Sequence, residues 1–293
     1  MLDDLLYQPD SSLVRQSYDP QQLHMLNLGG FGMLAWDTGS PDPARPWAYR
    51  STSLPVFDPN LEALAKKAHA TCLLAHVRGI PYRADAGFGP HNLHPFQFPG
   101  QRWAMAHNGD LAEHRRVEYE LLAQVPAALR AQIAGNTDSE AVYALVMGLL
   151  EGTDGDPGAL VEAIARAVRL LREVRARHGI EQSSSLNLFF SDGTSLVALR
   201  YTLDFGCYAT DDPAGVHEAN LRYLSLWYTV GERYGLVEGE WQMRGEPGAT
   251  NSVLLASEPL TRDITGWIEV PEYTVLVVDG RDGEARIHTV DID

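Results

Sequence analysis

The stretch AMAHNGD, residues 104–110, places an apolar run directly before the pair Asn108-Gly109. Asn-Gly is among the strongest signals for a tight turn, because both residues tolerate positive φ. The same pair offers a side-chain amide and a backbone N–H that no side chain obstructs, which are two hydrogen-bond donors. The dipeptide alone favours a turn, so a catalytic role has to be decided by the rest of the chain.

Composition excludes several classes of function. The chain has 293 residues, 45% of them hydrophobic, and a net charge of −16. The acidic balance argues against a nucleic-acid or anionic-membrane surface, because both favour basic patches. Two cysteines make no disulfide framework, no apolar run reaches the roughly 20 residues of a membrane span, and the first residues lack a basic leader. We therefore expect a cytoplasmic protein that binds neither nucleic acid nor membrane.

Periodicity predicts strands and helices that fall into blocks along the chain. The predicted strands are 31–36, 72–77, 102–107, 185–190, 195–202, 252–258, 274–280 and 285–291; the predicted helices are 58–70, 111–130, 136–152 and 156–180; and 81–100 is a predicted surface loop. Helices do not alternate one-for-one with strands, which favours helices layered on sheets over a doubly wound parallel sheet. No boundary separates the halves, so we expect one domain over residues 1–293.

Two further stretches contain residue types that bind anions or metals. Arg78 ends the stretch AHVR at a predicted strand end, where a surface arginine is the plain interpretation. In HNLHPF, His91 and His94 suggest metal ligands, but zinc needs a third ligand, and neither an H-E-x-x-H motif nor a cysteine pair is present. We therefore expect no metal and no cofactor, and a loop-packing role for His94.

The stretch GNTDSE, residues 135–140, has a structural explanation of its own. Thr137 and Glu140 match the S/T-x-x-E pattern of a helix capping box. Asp138 would then only favour the positive end of the helix.

Together these residues supply the parts that hold an α-amino acid. The Arg78 guanidinium would bind the α-carboxylate, and the Asp138 carboxylate would bind the α-ammonium. The Asn108 side-chain amide and the Gly109 N–H would form an oxyanion hole for a carbonyl under attack. Each residue has a structural explanation when it is taken alone. The combination of a strand-end arginine, an Asn-Gly pair and a helix-start aspartate instead indicates a binding pocket.

The motifs HVR, HPF, HNG and TDSE, in this order and spacing, resemble those of the class II glutamine amidotransferases, which are N-terminal-nucleophile hydrolases. The stretches LLYQPDSSLVRQSY, GGFGMLAW, YRSTSLPVFDPNL and SEPLT…WIEVPE are similar to the stand-alone, single-domain members. The resemblance implies an α+β fold, the four-layer αββα sandwich. It also implies that Arg78 binds the glutamine carboxylate, that Asn108 and Gly109 form the oxyanion hole, and that Asp138 binds the α-amino group.

The family's nucleophile is a cysteine directly after the initiator methionine, whereas this chain begins Met1-Leu2. The resemblance therefore implies that the native polypeptide begins about a dozen residues upstream of Met1, with the cysteine and the first strand. The chain as given is expected to lack glutaminase activity. Cys72 and Cys207 are expected in the core, away from the pocket.

The leading expectation for function is hydrolysis of L-glutamine or a γ-glutamyl amide through a cysteine thioester. Ammonia would pass to a separate synthase subunit, or the enzyme would simply hydrolyse a γ-glutamyl compound. The alternative is a non-catalytic homologue that serves as an amino-acid-binding or partner-binding module.

Overall fold

The computed structural model describes residues 1–22, 26–79, 89–246, 248, 250–281 and 285–292. Its strands are β1 (Phe31–Trp36), β2 (Trp47–Ser51), β3 (Cys72–Val77), β4 (Ala104–Asp110), β5 (Ser184–Ser191), β6 (Leu196–Leu203), β7 (Trp227–Gly231), β8 (Arg233–Val237), β9 (Glu240–Arg244), β10 (Ser252–Ala256), β11 (Ile268–Glu269), β12 (Thr274–Asp279) and β13 (Arg286–Asp291). Its α-helices are α1 (Asp3–Leu6), α2 (Pro59–Ala65), α3 (His114–Leu122), α4 (Ala127–Arg130), α5 (Asp138–Leu150), α6 (Pro157–Arg177) and α7 (Pro213–Tyr223).

A five-stranded antiparallel sheet in the order β13-β12-β6-β5-β4 forms the centre of the fold. The hairpin between β5 and β6 forms where FSDGT predicts it. Asp192 Oδ1 accepts the N–H groups of Thr194 at 2.9 Å and Ser195 at 2.7 Å, and Gly193 supplies a φ of +91°. The turn chemistry therefore sets the register of the two central strands.

Helices α5 and α6 cover one face of this sheet. The buried side of α6 repeats at helical spacing through Leu160, Ile164 and Leu171, and these residues share a core with Leu199 of β6 and Val277 of β12. Asp156 caps α6 by accepting the Ala159 N–H at 2.7 Å, with Pro157 as its first residue. The predicted Asp-Pro start of this helix is therefore confirmed.

A second sheet layer, made of β2-β1-β3 and β10-β7-β11, packs on the opposite face. Leu34 and Leu74 from this layer meet Ala106 of β4, and Leu226 meets Leu276 of β12. Helices α1 and α2 cover the outer face of β1 and β3, through the buried side chains Leu2, Leu6, Leu61, Met33 and Val77. The order helix, sheet, sheet, helix confirms the expected α+β sandwich of four layers.

A segment that we call the strap, residues 11–22, runs from α1 to the end of β10. The buried carboxylate of Glu258 accepts the backbone N–H of Gln21 at 2.7 Å and of Gln22 at 3.0 Å, and the Ser11 hydroxyl at 3.3 Å. One side chain near the C-terminus therefore fixes the first part of the chain.

Several sequence-based boundaries are wrong. The helix predicted over 111–130 is divided into α3 and α4, because Pro126 cannot continue a helix that enters it. Of the predicted loop 81–100, residues 81–88 lie outside the described residues, and Phe96 forms an isolated bridge with Met105. The elements that the periodicity did not reveal are α1, α7, β2, β7, β8, β9 and β11. No helix within the described ranges is both long and apolar enough to cross a bilayer.

The hydrogen bonds of the Tyr143 hydroxyl provide a test of how α5 packs on the chain around β4. Its buried hydroxyl donates to the Trp103 carbonyl at 2.8 Å and accepts the Phe98 N–H at 3.1 Å, so Tyr143→Phe leaves two buried backbone groups unpaired. We expect the free energy of unfolding to fall by about 1–3 kcal/mol. Tyr119→Phe is the matched control, because Tyr119 is 89% exposed. Equal urea midpoints for the two variants would show that the Tyr143 hydroxyl does not support this junction.

Candidate functional site

A cavity of about 900 Å³ opens at the C-terminal ends of β3 and β4. The cavity is lined by all four residues that the sequence analysis assigns to a pocket: Arg78, Asn108, Gly109 and Asp138. Arg78 follows a strand end and Asp138 starts a helix, as their sequence context predicts, whereas Asn108 and Gly109 lie within a second strand. The fold therefore brings together residues that are up to 60 positions apart in the chain.

The interpretation of Asn108-Gly109 as a tight turn is wrong. Both residues lie within β4, opposite Asn187 and Leu186 of β5. Gly109 has a φ of +151°, and a Cβ at this position would lie 2.2 Å from the Ser185 carbonyl oxygen. Glycine is needed here because the β4 backbone passes Ser185 too closely for any side chain, and not because the chain reverses.

Asp138 joins the start of α5 to the end of β4. Its Oδ2 accepts the Leu111 N–H at 2.7 Å, and its Oδ1 accepts the Ser139 N–H at 2.7 Å. The carboxylate therefore does more than complement the helix dipole, since it fixes the backbone that follows the Asn108-Gly109 pair.

Arg78 directly follows the last residue of β3 and keeps backbone hydrogen bonds to the residues before β1. Its N–H donates to the Gly30 carbonyl at 2.9 Å, and its carbonyl accepts the Gly29 N–H at 2.7 Å. Burial lowers the pKa of the Arg78 guanidinium, and the nearby Asp138 carboxylate opposes this by raising the pKa. The Asp138 carboxylate therefore lies near enough to influence the Arg78 guanidinium, and both residues line the cavity.

Three histidines lie beside this pair of charges. The rings of His76 and His94 have centroids 4.2 Å apart, and His94 also contacts the edge of Phe96 at 4.7 Å. Burial, with His107 and Arg78 nearby, lowers the pKa of His76 to about 3, and burial holds the pKa of His94 well below its ordinary value. Both rings are therefore neutral at neutral pH, and His94 packs within its loop as predicted.

His107 connects β4 to Ser185 of β5 on one side and to Ser139 at the start of α5 on the other. Its Nε2 donates to the Ser185 carbonyl at 3.0 Å, and its Nδ1 lies 3.0 Å from the Ser139 hydroxyl oxygen. A carbonyl oxygen can only accept, so Nε2 carries the proton. His91 is exposed, and the described stretches contain no cluster of three or more candidate metal-ligating side chains.

The predicted capping box is only half formed. Thr137 Oγ1 accepts the Glu140 N–H at 3.1 Å, as predicted for an N-cap. The Glu140 carboxylate instead accepts the N–H groups of Ala134 at 3.0 Å and Gly135 at 2.7 Å. Glu140 therefore stabilises the loop before α5 rather than the first residue of the cap.

Tyr223 is a pocket residue that the sequence analysis missed. Burial raises the pKa of its phenol, the carboxylates of Asp110 and Asp138 raise it further, and a hydrogen bond with Ser185 opposes them. The Asp212-Pro213 start of α7 could have revealed the helix, because Asp212 Oδ1 accepts the Gly215 N–H at 3.0 Å. No motif around Tyr223 signals its place in the cavity.

Neither cysteine lines the cavity. Cys72 begins β3, at the opposite end from Arg78, with its Sγ 3.2 Å from the Ser191 hydroxyl oxygen. Burial raises the pKa of its thiol to about 11, which makes it a poor nucleophile at neutral pH. Cys207 is exposed in the turn that starts at Asp204, so its expected core position is wrong.

Comparison with known proteins gives concordant matches. Residues 55–209, more than half of the chain, match the family model of the class II glutamine amidotransferases. The chain is 26% identical over 297 residues to the probable glutamine amidotransferase DUG3 of Saccharomyces cerevisiae, covering 94% of this chain and 78% of that protein.

Two solved structures share the fold. The glutamine aminotransferase class-II domain protein of Silicibacter pomeroyi superposes with a TM-score of 0.56 at 24% identity, covering 89% of this chain and 91% of that chain. The glutamine phosphoribosylpyrophosphate amidotransferase of B. subtilis gives a TM-score of 0.51 at 17% identity, covering 90% of this chain and 43% of that chain. At these identities the likeness concerns the arrangement of helices and strands.

The close approach at Gly109 predicts a severe effect of a single methyl group. Gly109→Ala adds a clash with Ser185 to the cost of positive φ, so we expect a loss of about 2–5 kcal/mol in the free energy of unfolding. Gly100→Ala is the control, because Gly100 has a φ of +83° with open space around it, and should lose only about 1–2 kcal/mol. Denaturant titration measures both, and equal losses would contradict the close approach.

The neutral histidines predict acid sensitivity. A histidine whose pKa is lower in the folded than in the unfolded chain contributes stability above pH ~6.5 and loses it as the pH falls, at about 1.4 kcal/mol per pH unit. Between pH 6.5 and 5, we therefore expect the free energy of unfolding to fall because of His94. The His94→Phe variant should show a smaller slope of unfolding free energy against pH, whereas His288→Phe, at an exposed position, should not. Identical slopes would contradict a neutral His94.

Proposed function

We propose that this chain, which belongs to the class II glutamine amidotransferases, binds the α-amino-acid end of L-glutamine or a γ-glutamyl amide in the cavity beside β3 and β4. Arg78 takes the α-carboxylate, and Asp138 takes the α-ammonium. Asn108 and Gly109 point their donors at the δ-carbonyl. The match to the family model shows membership of the family, and we propose the residue roles and the substrate class in addition.

The observation that supports the proposal is the charge pairing in the cavity. The Asp138 carboxylate lies close enough to raise the pKa of Arg78, and both residues line the cavity that contains Asn108 and Gly109. A zwitterionic α-amino acid presents the two complementary charges on one carbon. Neutral His76 and His94 add no cation that would compete with Arg78 for the carboxylate.

The proposed reaction is acyl transfer through a thioester. A cysteine thiolate attacks the δ-carbonyl carbon, and Asn108 and Gly109 stabilise the oxyanion. The C–N bond breaks as the leaving nitrogen takes a proton, and ammonia or an amine departs. Water then cleaves the thioester, releasing glutamate and restoring the thiol. Removing one oxyanion donor costs on the order of 10²–10³ in rate in such enzymes.

The nucleophile in this proposal is a cysteine that precedes Met1, with its own α-amino group as the base. Cys72 is excluded from the role by its place at the far end of β3 and by its raised thiol pKa, and Cys207 by its exposed turn away from the cavity. These positions favour a second candidate function for residues 1–293 alone, namely an amino-acid-binding module that does not react.

The identity of the leaving group determines whether the protein needs a partner subunit. Free ammonia would serve a separate synthase subunit, and a γ-glutamyl compound would simply be hydrolysed. Both routes use the same pocket for the glutamyl end, so the binding test below applies to each of them.

Arg78→Ala tests the pocket. Losing one partner of a buried charged contact costs about 2–5 kcal/mol, so we expect affinity for L-glutamine or L-glutamate to fall by well over tenfold in calorimetric titration. Arg169→Ala, at an exposed position on α6, is the matched control and should leave affinity unchanged.

The companion variant Asp138→Asn separates binding from folding. Asn keeps one oxygen acceptor for Leu111 or Ser139, and Thr137 still caps α5, but Asn cannot neutralise an ammonium group. We expect a similar loss of affinity with a smaller change in thermal stability. Unchanged affinity in both variants would remove the basis for the proposed roles.

A further inference from the structure

One charged side chain is buried on the face of α6 that packs on the central sheet. Arg175 is 1% exposed, and it lies one helical turn after Leu171 on the apolar side of the helix. Burying a guanidinium costs free energy unless its donors are paired, and an apolar residue at this position would avoid that cost. The other arginines of α6 are exposed, namely Arg166, Arg169, Arg172 and Arg177. The hydrogen-bond partners of Arg175 therefore indicate why a charged residue lies here.

The Arg175 guanidinium joins the segment after β4 to the segment that enters β5. Its Nη1 donates to the Ala112 carbonyl at 3.2 Å and to the Ser184 hydroxyl oxygen at 2.9 Å. Its Nη2 donates to the Gln182 carbonyl and, at 3.0 Å, to Asp204 Oδ2. Three of these four acceptors are uncharged, and the Asp204 side chain is exposed, so Arg175 mainly fixes the positions of neighbouring backbone.

The backbone of Ala112, two residues after the end of β4, is held through both of its polar groups. Its N–H donates to the Ser184 hydroxyl oxygen at 2.9 Å, and its carbonyl accepts from Arg175. Arg175 also donates to that same hydroxyl oxygen, which can accept twice because it has two lone pairs. One guanidinium therefore fixes both the Ala112 carbonyl and the group that accepts the Ala112 N–H.

The direction of the Gly109 N–H follows from the strand pairing. Met105 exchanges two backbone hydrogen bonds with Phe96, so its N–H and carbonyl point away from β5. Backbone groups alternate in direction along an antiparallel strand, and Gly109 follows Met105 by an even number of residues. The Gly109 N–H therefore also points away from β5, and Gly109 lines the cavity.

The chain just beyond Gly109 is held by side chains. The N–H groups of residues 110–112 donate to Ser185 Oγ, Asp138 Oδ2 and Ser184 Oγ, at 3.3, 2.7 and 2.9 Å in that order. The position of this strand end therefore depends on what fixes those three side chains, and Arg175 fixes Ser184.

We propose that Arg175 is a positioning residue for the Asn108-Gly109 pair. It is not among the described residues that line the cavity, and it acts from the helix side of the central sheet. By fixing the strand end beyond Gly109, it fixes the direction of the Gly109 N–H. The oxyanion role of the pair rests on the proposed function, whereas the fixing of the strand end does not.

The shape of the guanidinium suits this task. Its planar fork donates to separate groups through Nη1 and Nη2 at the same time, and each nitrogen serves two acceptors here. Lysine keeps the charge but carries all of its donors on one nitrogen, so it cannot make both sets of contacts. Arg175→Lys therefore removes the geometry and leaves the charge.

Two ligands separate positioning from general support of the fold. L-Glutamine and L-norvaline share the α-amino-acid end and the chain of carbons, but only L-glutamine has a δ-carbonyl. In Arg175→Lys, we expect affinity for L-glutamine in calorimetric titration to fall about two- to tenfold, the effect of one hydrogen bond, with affinity for L-norvaline unchanged. Arg169→Lys, at an exposed position on the same helix, is the matched control and should change neither affinity.

Two further variants divide the contacts of Arg175. Asp204→Asn removes the charge of the carboxylate partner but keeps an oxygen acceptor, and asparagine tolerates the φ of +51° at this position, so the preference for L-glutamine should remain. Ser184→Ala removes the hydroxyl that links Arg175 to Ala112, so the preference should fall as it does in Arg175→Lys. Ser184→Ala also serves if the lysine variant does not fold.

Hydrogen exchange measures the strand end without any ligand. The Leu111 N–H is informative because its acceptor, Asp138, is present in every variant. In Arg175→Lys and Ser184→Ala, we expect the Leu111 amide to exchange at least about tenfold faster. Amides of β12, inside the central sheet, are the internal control and should keep their rates.

Three results would overturn the proposal. One is an unchanged exchange rate of Leu111 in both Arg175→Lys and Ser184→Ala. Another is a preference for L-glutamine that survives both variants. The third is an equal loss of affinity for the two ligands, which would show that Arg175 supports the whole pocket. If the unmutated chain does not prefer L-glutamine to L-norvaline, the proposed function fails, and the exchange rate of Leu111 decides the positioning on its own.

Discussion

The closeness of β4 to β5 at Gly109 is the constraint on which the site depends. At this point the backbone runs beside Ser185 with no room for a Cβ, and His107, two residues earlier, donates to the same carbonyl. The Asp138 carboxylate then holds the N–H of Leu111, so the strand end and the helix start cannot move apart independently. The zwitterion binding that we propose benefits from this rigidity, because donors gain most when their positions are fixed before the ligand arrives.

The buried histidines limit the positive charge near the cavity. The rings of His76 and His94 contact each other near Arg78, yet burial holds both rings neutral, so they add no positive charge beside the guanidinium. The cost is that an unfolded chain binds protons which the folded chain does not. The same burial that keeps both rings neutral therefore makes the stability of the fold depend on pH.

Much of the fold could be predicted from the sequence because its signals are local. Asp156-Pro157 starts α6, and Asp192-Gly193 turns β5 into β6, in each case through a side chain that satisfies nearby N–H groups. The pocket residues Arg78 and Asp138 were found because a strand end and a helix start are visible in sequence. Asn108-Gly109 was misplaced in a turn, since the local preference of the pair cannot reveal that Ser185, 76 residues later, occupies the space of a side chain. Tyr223 was missed for the same reason, because only the finished fold brings α7 to the cavity.

The contact between Glu258 and the strap has a consequence for how the protein is made. Gln21 and Glu258 are separated by 237 positions, so the hydrogen bonds from the end of the strap to Glu258 form only after nearly the whole polypeptide has been synthesised. At about 5–20 residues per second, that interval is roughly 10–50 s on the ribosome. During this time Leu2, Leu6 and Val14 already have apolar partners within the first 77 residues, but the backbone N–H groups of Gln21 and Gln22 lack the carboxylate that accepts them. The order of synthesis therefore delays the junction between the strap and the end of β10 until the last part of the chain has been made.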